Sequence, residues 1–140
     1  MKRLARYLMP FAAAAMLGGC NVTESIKEAG VEVDKFHRAL DAGNSQGIWA
    51  SAGADLHRAT PRAQFVAVLD AVHRKLGKVK STKQVGWNSN ATTSGSFVTL
   101  TNETVFEHGT GTEQFVYRKG DADKLSLAGY HIQSNDMMLN

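Results

Sequence analysis

The chain has 140 residues, enough for one domain with its own hydrophobic core, and its 16 basic and 13 acidic side chains give a formal net charge of +3. Its single cysteine excludes an internal disulfide. The excess positive charge comes from Lys2, Arg3 and Arg6 at the amino terminus, so the remainder of the chain is neutral. We therefore expect no nucleic-acid partner, because nucleic-acid binding requires a clustered basic surface.

The amino-terminal segment has the layout of a bacterial export signal. The basic start is followed by an apolar run over residues 8–17, interrupted by Pro10, and then by the small residues Gly18 and Gly19. A membrane-spanning helix needs about 20 apolar residues, and this run is roughly half as long. The pattern therefore predicts a signal peptide over residues 1–19.

The only cysteine follows directly after these small residues. Leu17-Gly18-Gly19-Cys20 resembles the lipobox of bacterial lipoproteins. The resemblance implies that the Cys20 thiol takes a diacylglycerol, that the signal is cut before it, and that the new amino group is acylated. Two or three acyl chains hold a protein stably in a membrane. The alternative is that Cys20 is an ordinary small core residue.

The residue after the cysteine bears on the membrane that would hold the protein. In lipoproteins an aspartate at this position usually retains the protein in the inner membrane, and this chain has Asn21. The resemblance therefore implies a lipid-anchored protein of the cell envelope, on the periplasmic side, with the outer membrane favoured over the inner membrane.

Behind the cysteine the sequence predicts one domain. Residues 20–30 contain the lipidated cysteine, a short tether and the start of a helix, residues 31–133 form an α+β domain, and residues 134–140 form a frayed tail. The tether, residues 21–24, reaches on the order of 15 Å when extended. We therefore expect the domain to lie close to the membrane.

The first predicted helix is marked by a capping box and an apolar stripe. Ser25 and Glu28 have the spacing at which two side chains satisfy free amides at a helix start, and Gly43 is a typical terminator. Five apolar residues between them recur at steps of three and four: Ile26, Ala29, Val33, Phe36 and Leu40. We expect this face to be buried.

Two more helices are predicted before the chain changes character. Residues 44–59 suggest a short helix broken at glycines, in which Trp49 lies either in the core or on the wall of a ligand pocket. Thr60 and Pro61 are a favourable helix start, and Gly77 ends that helix. Its apolar stripe contains Phe65, Val68, Leu69, Val72 and Leu76.

After Gly77 the apolar residues alternate, which predicts β-strands. The strands are expected at residues 79–87, 96–108, 113–118 and 125–132. A polar loop over residues 88–95 and a hairpin turn at residues 109–111 connect the first three. The predicted fold class is α+β, with amino-terminal helices packed on an antiparallel sheet of about four strands. One face of such a sheet lies on the core, and the other is available to water or a partner.

The order of these motifs resembles a bacterial family of small exported proteins, the domain of unknown function numbered four thousand and nineteen. The resemblance covers roughly residues 31–133 and rests on the following segments: Asp41-Ala42-Gly43, Trp49 in a short helix, a proline-started third helix, Gly77-Lys78-Val79-Lys80-Ser81, and Ala128-Gly129-Tyr130. It implies a cystatin-like or nuclear-transport-factor-like fold with a curved sheet around helices. Leu125 stands where members often have tryptophan. The family has no established catalytic residues, so none is transferred.

The chain contains no recognised catalytic, cofactor-binding or metal-binding motif. The five histidines do not have the spacing of metal ligands: His37, His57, His73, His108 and His131. Glu103 and Glu107 share a strand face about 13 Å apart, wider than the carboxylate pairs of glycoside hydrolases. We therefore expect no cofactor and no enzymatic activity.

One local basic cluster follows the third helix and consists of Arg74, Lys75, Lys78, Lys80 and Lys83. These charges either complement the helix dipole and favour solubility, or contact an anionic surface such as lipid headgroups or an acidic partner. The sequence leaves both roles open.

Together these patterns predict a non-enzymatic, membrane-anchored binding domain. A protein partner is favoured, and one version is an immunity or inhibitor protein that occludes a toxin near the membrane. The rival hypothesis is a small-ligand carrier or small enzyme that uses a pocket between the helices and the sheet. That hypothesis fails if the space is filled by Phe36, Trp49, Phe65 and Leu69.

Overall fold

The computed structural model describes the backbone of residues 17–139 and the side chains of residues 22–139. Most of the predicted signal peptide and the side chain of Cys20 lie outside these ranges. In the described part, helices α1 to α4 come first, and four strands and a short helix follow. The elements are α1 (Leu17–Asp41), α2 (Ser45–Ser51), α3 (Ala54–Ala59), α4 (Arg62–Leu76), β1 (Val79–Thr92), β2 (Gly95–Phe106), β3 (Gly109–Lys119), a 3₁₀ turn (Asp121–Asp123), β4 (Leu125–Gln133) and α5 (Asn135–Leu139).

The strands form one antiparallel sheet in the order β1-β2-β3-β4, which does not close into a barrel. The predicted α+β class is therefore confirmed. The sheet buries alternate residues of β2 and β3 against the helices: Val98, Leu100, Phe106, Phe115 and Tyr117. Helices α1 and α4 supply the opposing side of the core with the residues that their periodicity selects: Ala29, Val33, Phe36, Leu40, Phe65, Leu69, Val72 and Leu76.

The start of α1 differs from the prediction. Within the described residues the helix runs from Leu17, and Ser25 is a buried residue inside it rather than its cap. Residues 21–24, predicted to be a tether, are helical. A capping box stabilises a helix start without requiring one, and residues 21–24 contain no proline or glycine that would stop the helix before Ser25. The predicted end is correct: Gly43 has a φ of +71°, and its N–H donates to the Leu40 carbonyl at 2.9 Å.

Gly53 separates α2 from α3 because of a close contact with the sheet. Its N–H donates to the carbonyl oxygen of Leu127 on β4 at 2.9 Å, and a Cβ at this position would lie 2.7 Å from the Ser126 hydroxyl. Gly47, by contrast, lies within α2 and does not interrupt it. The next helix, α4, starts at Arg62 with Pro61 as its cap position, so Thr60 is not the cap.

The predicted loop over residues 88–95 is mostly strand. β1 continues to Thr92, because its polar second half pairs residue by residue with β2, and pairing outweighs weak strand propensity. The turn between β2 and β3 also lies earlier than predicted, at residues 107–108. Gly109 is already in β3.

The predicted frayed tail is instead tied to the domain. Residues 135–139 form α5, and Met137 packs against the core. The Asp136 carboxylate accepts a hydrogen bond from the Thr110 N–H at 2.9 Å, and Lys75 Nζ donates to the Met137 carbonyl at 3.0 Å. These contacts connect α5 to β3 and α4.

Candidate functional site

The centre of the space between the helices and the sheet is filled by side chains. Phe36, Phe65 and Leu69 are buried there. Trp49 is partly buried, and its ring centroid lies 5.8 Å from that of Phe65 and 4.4 Å from that of His57. Trp49 therefore belongs to the edge of the core. Any ligand would have to bind beside this core, not within it.

An open cleft lies beside the core, between α1 and α2 on one side and the start of β4 on the other. We call it the edge cleft; its volume is about 870 Å³. Its apolar surface includes Val31, Phe36, Ile48, Tyr117 and Leu127. Except for Val31, these residues are buried core side chains that present one surface to the cleft. Its lining also contains charged groups of both signs: Glu28, Glu32, Lys35, Asp123 and Lys124.

One lip of the edge cleft has an unusual backbone. Ala122 and Asp123 have φ values of 56° and 58°, the left-handed region that residues with a Cβ seldom occupy. Such conformations cost of order 1–3 kcal/mol each and are found preferentially at ligand clamps and switch regions. The opposite lip carries the ion pair of Lys35 Nζ and Glu32 Oε1, 2.9 Å apart. The cleft thus has an apolar floor, one strained lip and one charged helical lip.

Tyr117 places a buried phenol in the edge cleft. Its hydroxyl makes no hydrogen bond within the described part of the chain, and burial raises its pKa above the usual value, with smaller contributions from the charges of Glu32 and Glu113. The phenol is therefore neutral at physiological pH. Tyr117 lines the cleft, and its neutral hydroxyl can donate a hydrogen bond.

The second feature is a buried carboxylate on β3. Glu113 has no exposed surface. Thr104 Oγ1 donates to its Oε1 at 2.5 Å, the Tyr130 hydroxyl donates to its Oε2 at 2.6 Å, and His37 Nε2 lies 2.8 Å from Oε1. A buried carboxylate is costly unless it is paired and hydrogen-bonded, and here three partners from α1, β2 and β4 meet that requirement.

The network continues from Thr104 toward β1. The Thr82 and Thr104 hydroxyl oxygens are 2.8 Å apart, and Asn102 Nδ2 donates to Thr82 Oγ1 at 3.0 Å. Because Thr104 uses its proton on Glu113, Thr82 is the donor to Thr104. The hydroxyls therefore point in one direction, toward the carboxylate. Asn102 Oδ1 is buried and has no partner among the described residues.

The buried network reaches solvent in a small groove of about 370 Å³ between α1 and β1. His37 and Thr82 line it together with Asp34, Arg38 and Asp41. The second ring nitrogen of His37, Nδ1, has no hydrogen-bond partner in the described part of the chain. A histidine held by a carboxylate is able to move a proton, but nothing else in the groove completes a recognised catalytic set.

Glu113 is not among the site residues predicted from the sequence, although its place in the strand pattern indicates burial. The residue shares the inward face of its strand with Phe115 and Tyr117, since side chains on a strand alternate. A charged residue in register with two core aromatics indicates a buried carboxylate that needs partners. The partners themselves lie on three other elements, and only the fold brings them together.

The residues of the basic cluster do not form one compact site. Arg74 and Lys75 are in the last turn of α4, whereas Lys80 and Lys83 are on β1. Lys83 faces Glu103 of β2 across the sheet. All of the cluster except the half-buried Lys75 is exposed.

The described residues contain no group of three or more histidine, cysteine, aspartate or glutamate side chains that could hold a metal ion. Within the same range, no helix is both long and apolar enough to span a membrane.

Replacing Glu113 tests the role of the network. Glu113→Gln presents an amide N–H₂ to groups that now donate to a carboxylate, so we expect a loss of about 1–3 kcal/mol in the free energy of unfolding. The control is Glu103→Gln, an exposed position on β2, expected to change stability by less than about 0.5 kcal/mol. Urea denaturation measures both, and equal effects would contradict the network.

The two buried tyrosines predict a loss of stability at alkaline pH. Burial, followed by the charge and hydrogen bond of Glu113, raises the pKa of Tyr130, and burial raises that of Tyr117. The folded protein keeps these protons where the unfolded chain loses them. The stabilising contribution of these two tyrosines is therefore fully present below a pH of about 10, and the free energy of unfolding falls as the pH rises above it.

Phenylalanine variants separate the two tyrosines. Tyr130→Phe should cost about 1.5–3 kcal/mol at neutral pH, because it removes a hydrogen bond to a charged group, whereas Tyr117→Phe should cost little. Each should reduce the alkaline slope of stability in urea denaturation from pH 7 to 11. Equal losses of stability for the two variants at neutral pH would contradict the hydrogen bond assigned to Tyr130 and Glu113.

Comparison with known proteins gives a family and no function. The family model described as a protein of unknown function, DUF4019, matches residues 33–130. No curated protein and no solved structure matches the chain significantly. The matched range runs from α1 to β4 and contains most of the edge cleft and the buried network. The chain therefore belongs to the DUF4019 family of proteins of unknown function.

Proposed function

We propose that this chain is a lipid-anchored protein of the cell envelope whose edge cleft binds a protein partner. The observation that carries the proposal is the open apolar surface beside a filled core. Binding surfaces commonly combine an apolar centre with a polar rim, and the edge cleft has both. The mixed charges of its lining suit a polypeptide segment that presents an apolar side chain between polar neighbours.

The anchor part of the proposal comes from Leu17-Gly18-Gly19-Cys20, which resembles a lipobox. Removal of residues 1–19 leaves 13 basic and 13 acidic residues, so the mature chain is neutral. The backbone is already helical at Cys20. At 1.5 Å per residue, the first cleft residue, Glu28, lies about 12 Å along the helix from the anchor. The cleft would therefore operate close to the membrane, on the periplasmic side, with the outer membrane favoured over the inner membrane.

Several further features fit a binding role. A cystatin-like or nuclear-transport-factor-like arrangement, with a curved sheet around helices, is compatible with the element order, although a fold alone does not determine a function. The basic cluster would contact anionic headgroups if its side of the domain faces the membrane. An immunity or inhibitor protein is one concrete version, in which the domain occludes an incoming toxin near the membrane.

A small amphiphilic ligand is the second candidate for the edge cleft. Its volume falls within the range of about 300–1,000 Å³ that is typical of small-molecule pockets, and the Tyr117 hydroxyl offers one donor. This carrier hypothesis predicts a bound molecule of defined mass in native mass spectrometry of the protein purified from membranes. A ligand-free protein would favour the protein partner.

Replacing the cysteine tests the anchor. Cys20→Ser removes the thiol that would be acylated, so we expect the protein either to leave the membrane fraction or to remain unprocessed. Fractionation and intact-mass measurement of the amino terminus give the result. The control is Glu24→Gln, an exposed substitution on α1, which should remain anchored. A cleaved and still membrane-bound Cys20→Ser protein would refute the anchor.

Site-specific photo-crosslinking tests the partner. Val31 is 49% exposed on the α1 wall of the edge cleft, and Val68 is 40% exposed on α4, outside the cleft. A photoreactive residue at position 31 should give a discrete protein adduct in intact cells, and the same residue at position 68 should not. An equal adduct at both positions, or none at position 31 in folded protein, would contradict the proposal.

A further inference from the structure

The two edges of the sheet differ in their protection. At the β4 edge, α3 packs against the strand and Gly53 donates to the Leu127 carbonyl. At the other edge, β1 pairs with β2, and no strand of the described chain pairs with its far side. An unpaired edge strand presents a row of backbone donors and acceptors to other chains. β1 is therefore the side on which the sheet can be extended.

Devices that prevent edge pairing occur in only half of β1. Lys80 and Lys83 place charges in its first half, and the register with β2 shifts at Lys80 and again at Val85. Charges and bulges of this kind block the addition of another strand. From Gly86 to Thr92 the strand has no charge, no proline and no register shift. We call this segment the uncharged half-strand.

The uncharged half-strand also carries an exposed aromatic side chain. Trp87 is 54% exposed, and its cross-strand neighbour Leu100 is buried, so Trp87 lies on the helix-facing side of the sheet but beyond the cover of the helices. Next to it, Val85 is 48% exposed. A strand added along Gly86–Thr92 would cover part of the Trp87 side chain, which favours its addition.

We propose that the uncharged half-strand pairs with the same segment of a second copy of this chain. Antiparallel pairing of Gly86–Thr92 with itself about Ser89 would place Trp87 beside Ala91 of the second copy. No two like charges face each other within this segment, because Lys83 lies outside it. The pairing is isologous, as the interface of a twofold dimer requires, and it would join the two sheets of four strands into one of eight.

The contact consists of one short pair of strands, and small interfaces are typical of weak or transient association. The fraction of the protein that is dimeric will therefore depend on its concentration. Confinement of both copies to one membrane, if the proposed anchor is correct, would raise their effective concentration. The surface is separate from the edge cleft, which is lined by α1, α2, β3, β4 and the 3₁₀ turn. Dimerisation can therefore hold or fail independently of the partner proposal.

Cysteine crosslinking tests the register in the full chain with Cys20→Ser, in which an added cysteine is the only thiol. Pairing about Ser89 places the two copies of this residue opposite each other, at a Cα separation of about 4.5–5.5 Å that a disulfide can bridge. Under mild oxidation Ser89→Cys should form disulfide dimers at least about ten times faster than Ser81→Cys, which lies outside the segment. Equal rates would overturn the register.

A charge pair tests the dimer itself. Ser89→Lys or Ser89→Glu alone should abolish dimers in sedimentation equilibrium, because like charges would face each other, and a mixture of the two should restore them. Ser89 is exposed, so both variants should keep the circular dichroism spectrum of the parent. A parent chain that stays monomeric at about 1 mM would overturn the proposal, as would a mixture that shows no heterodimer.

Discussion

The burial of one carboxylate determines how the first helix is placed on the sheet. Glu113 projects from the inner face of β3 and is fully enclosed, with hydrogen bonds to groups of α1, β2 and β4. A buried charge that loses a partner is strongly destabilising. Helix α1 is therefore held at His37 by a directional contact, and not only by the apolar stripe, which would tolerate small shifts along the sheet.

The surface features follow from this placement. With α1 held over β3, the neighbouring Phe36 packs edge-on to Phe115 at a centroid distance of 5.1 Å and fills the centre of the domain. One flank of α1 then faces β1 across the small groove, and the other flank faces the lip formed by Ala122 and Asp123 across the edge cleft. The edge cleft and the small groove both form because a single helix, α1, covers only the middle of the sheet and leaves space on each side.

The apolar pattern of the sequence was sufficient to predict the architecture, and local polar detail was not. The stripes of α1 and α4 and the strand alternation identify most of the buried residues, because the periodicity places them on one face. Val68 of the α4 stripe and Trp87 of β1 are the exceptions, since both are exposed in the fold. Boundaries depend on competition with neighbours: α1 extends past Ser25, and β1 continues through residues that favour loops, since β2 satisfies its backbone. The edge cleft and the network were not predictable, because their members come from separate elements that only tertiary packing brings together.

The unbroken course of α1 has a mechanical consequence if Cys20 carries a lipid. A flexible tether would let the domain rotate freely. A continuous helix from the anchor to the His37–Glu113 contact is stiff, so it would couple the orientation of the domain to that of the bilayer. Gly30 is the one glycine between these points, and nothing within 4 Å supports its backbone from the side where a Cβ would project. Glycine weakens a helix by about 1 kcal/mol. Any change in the domain's orientation at the membrane would therefore require the helix to bend, and Gly30 is the position where bending costs least.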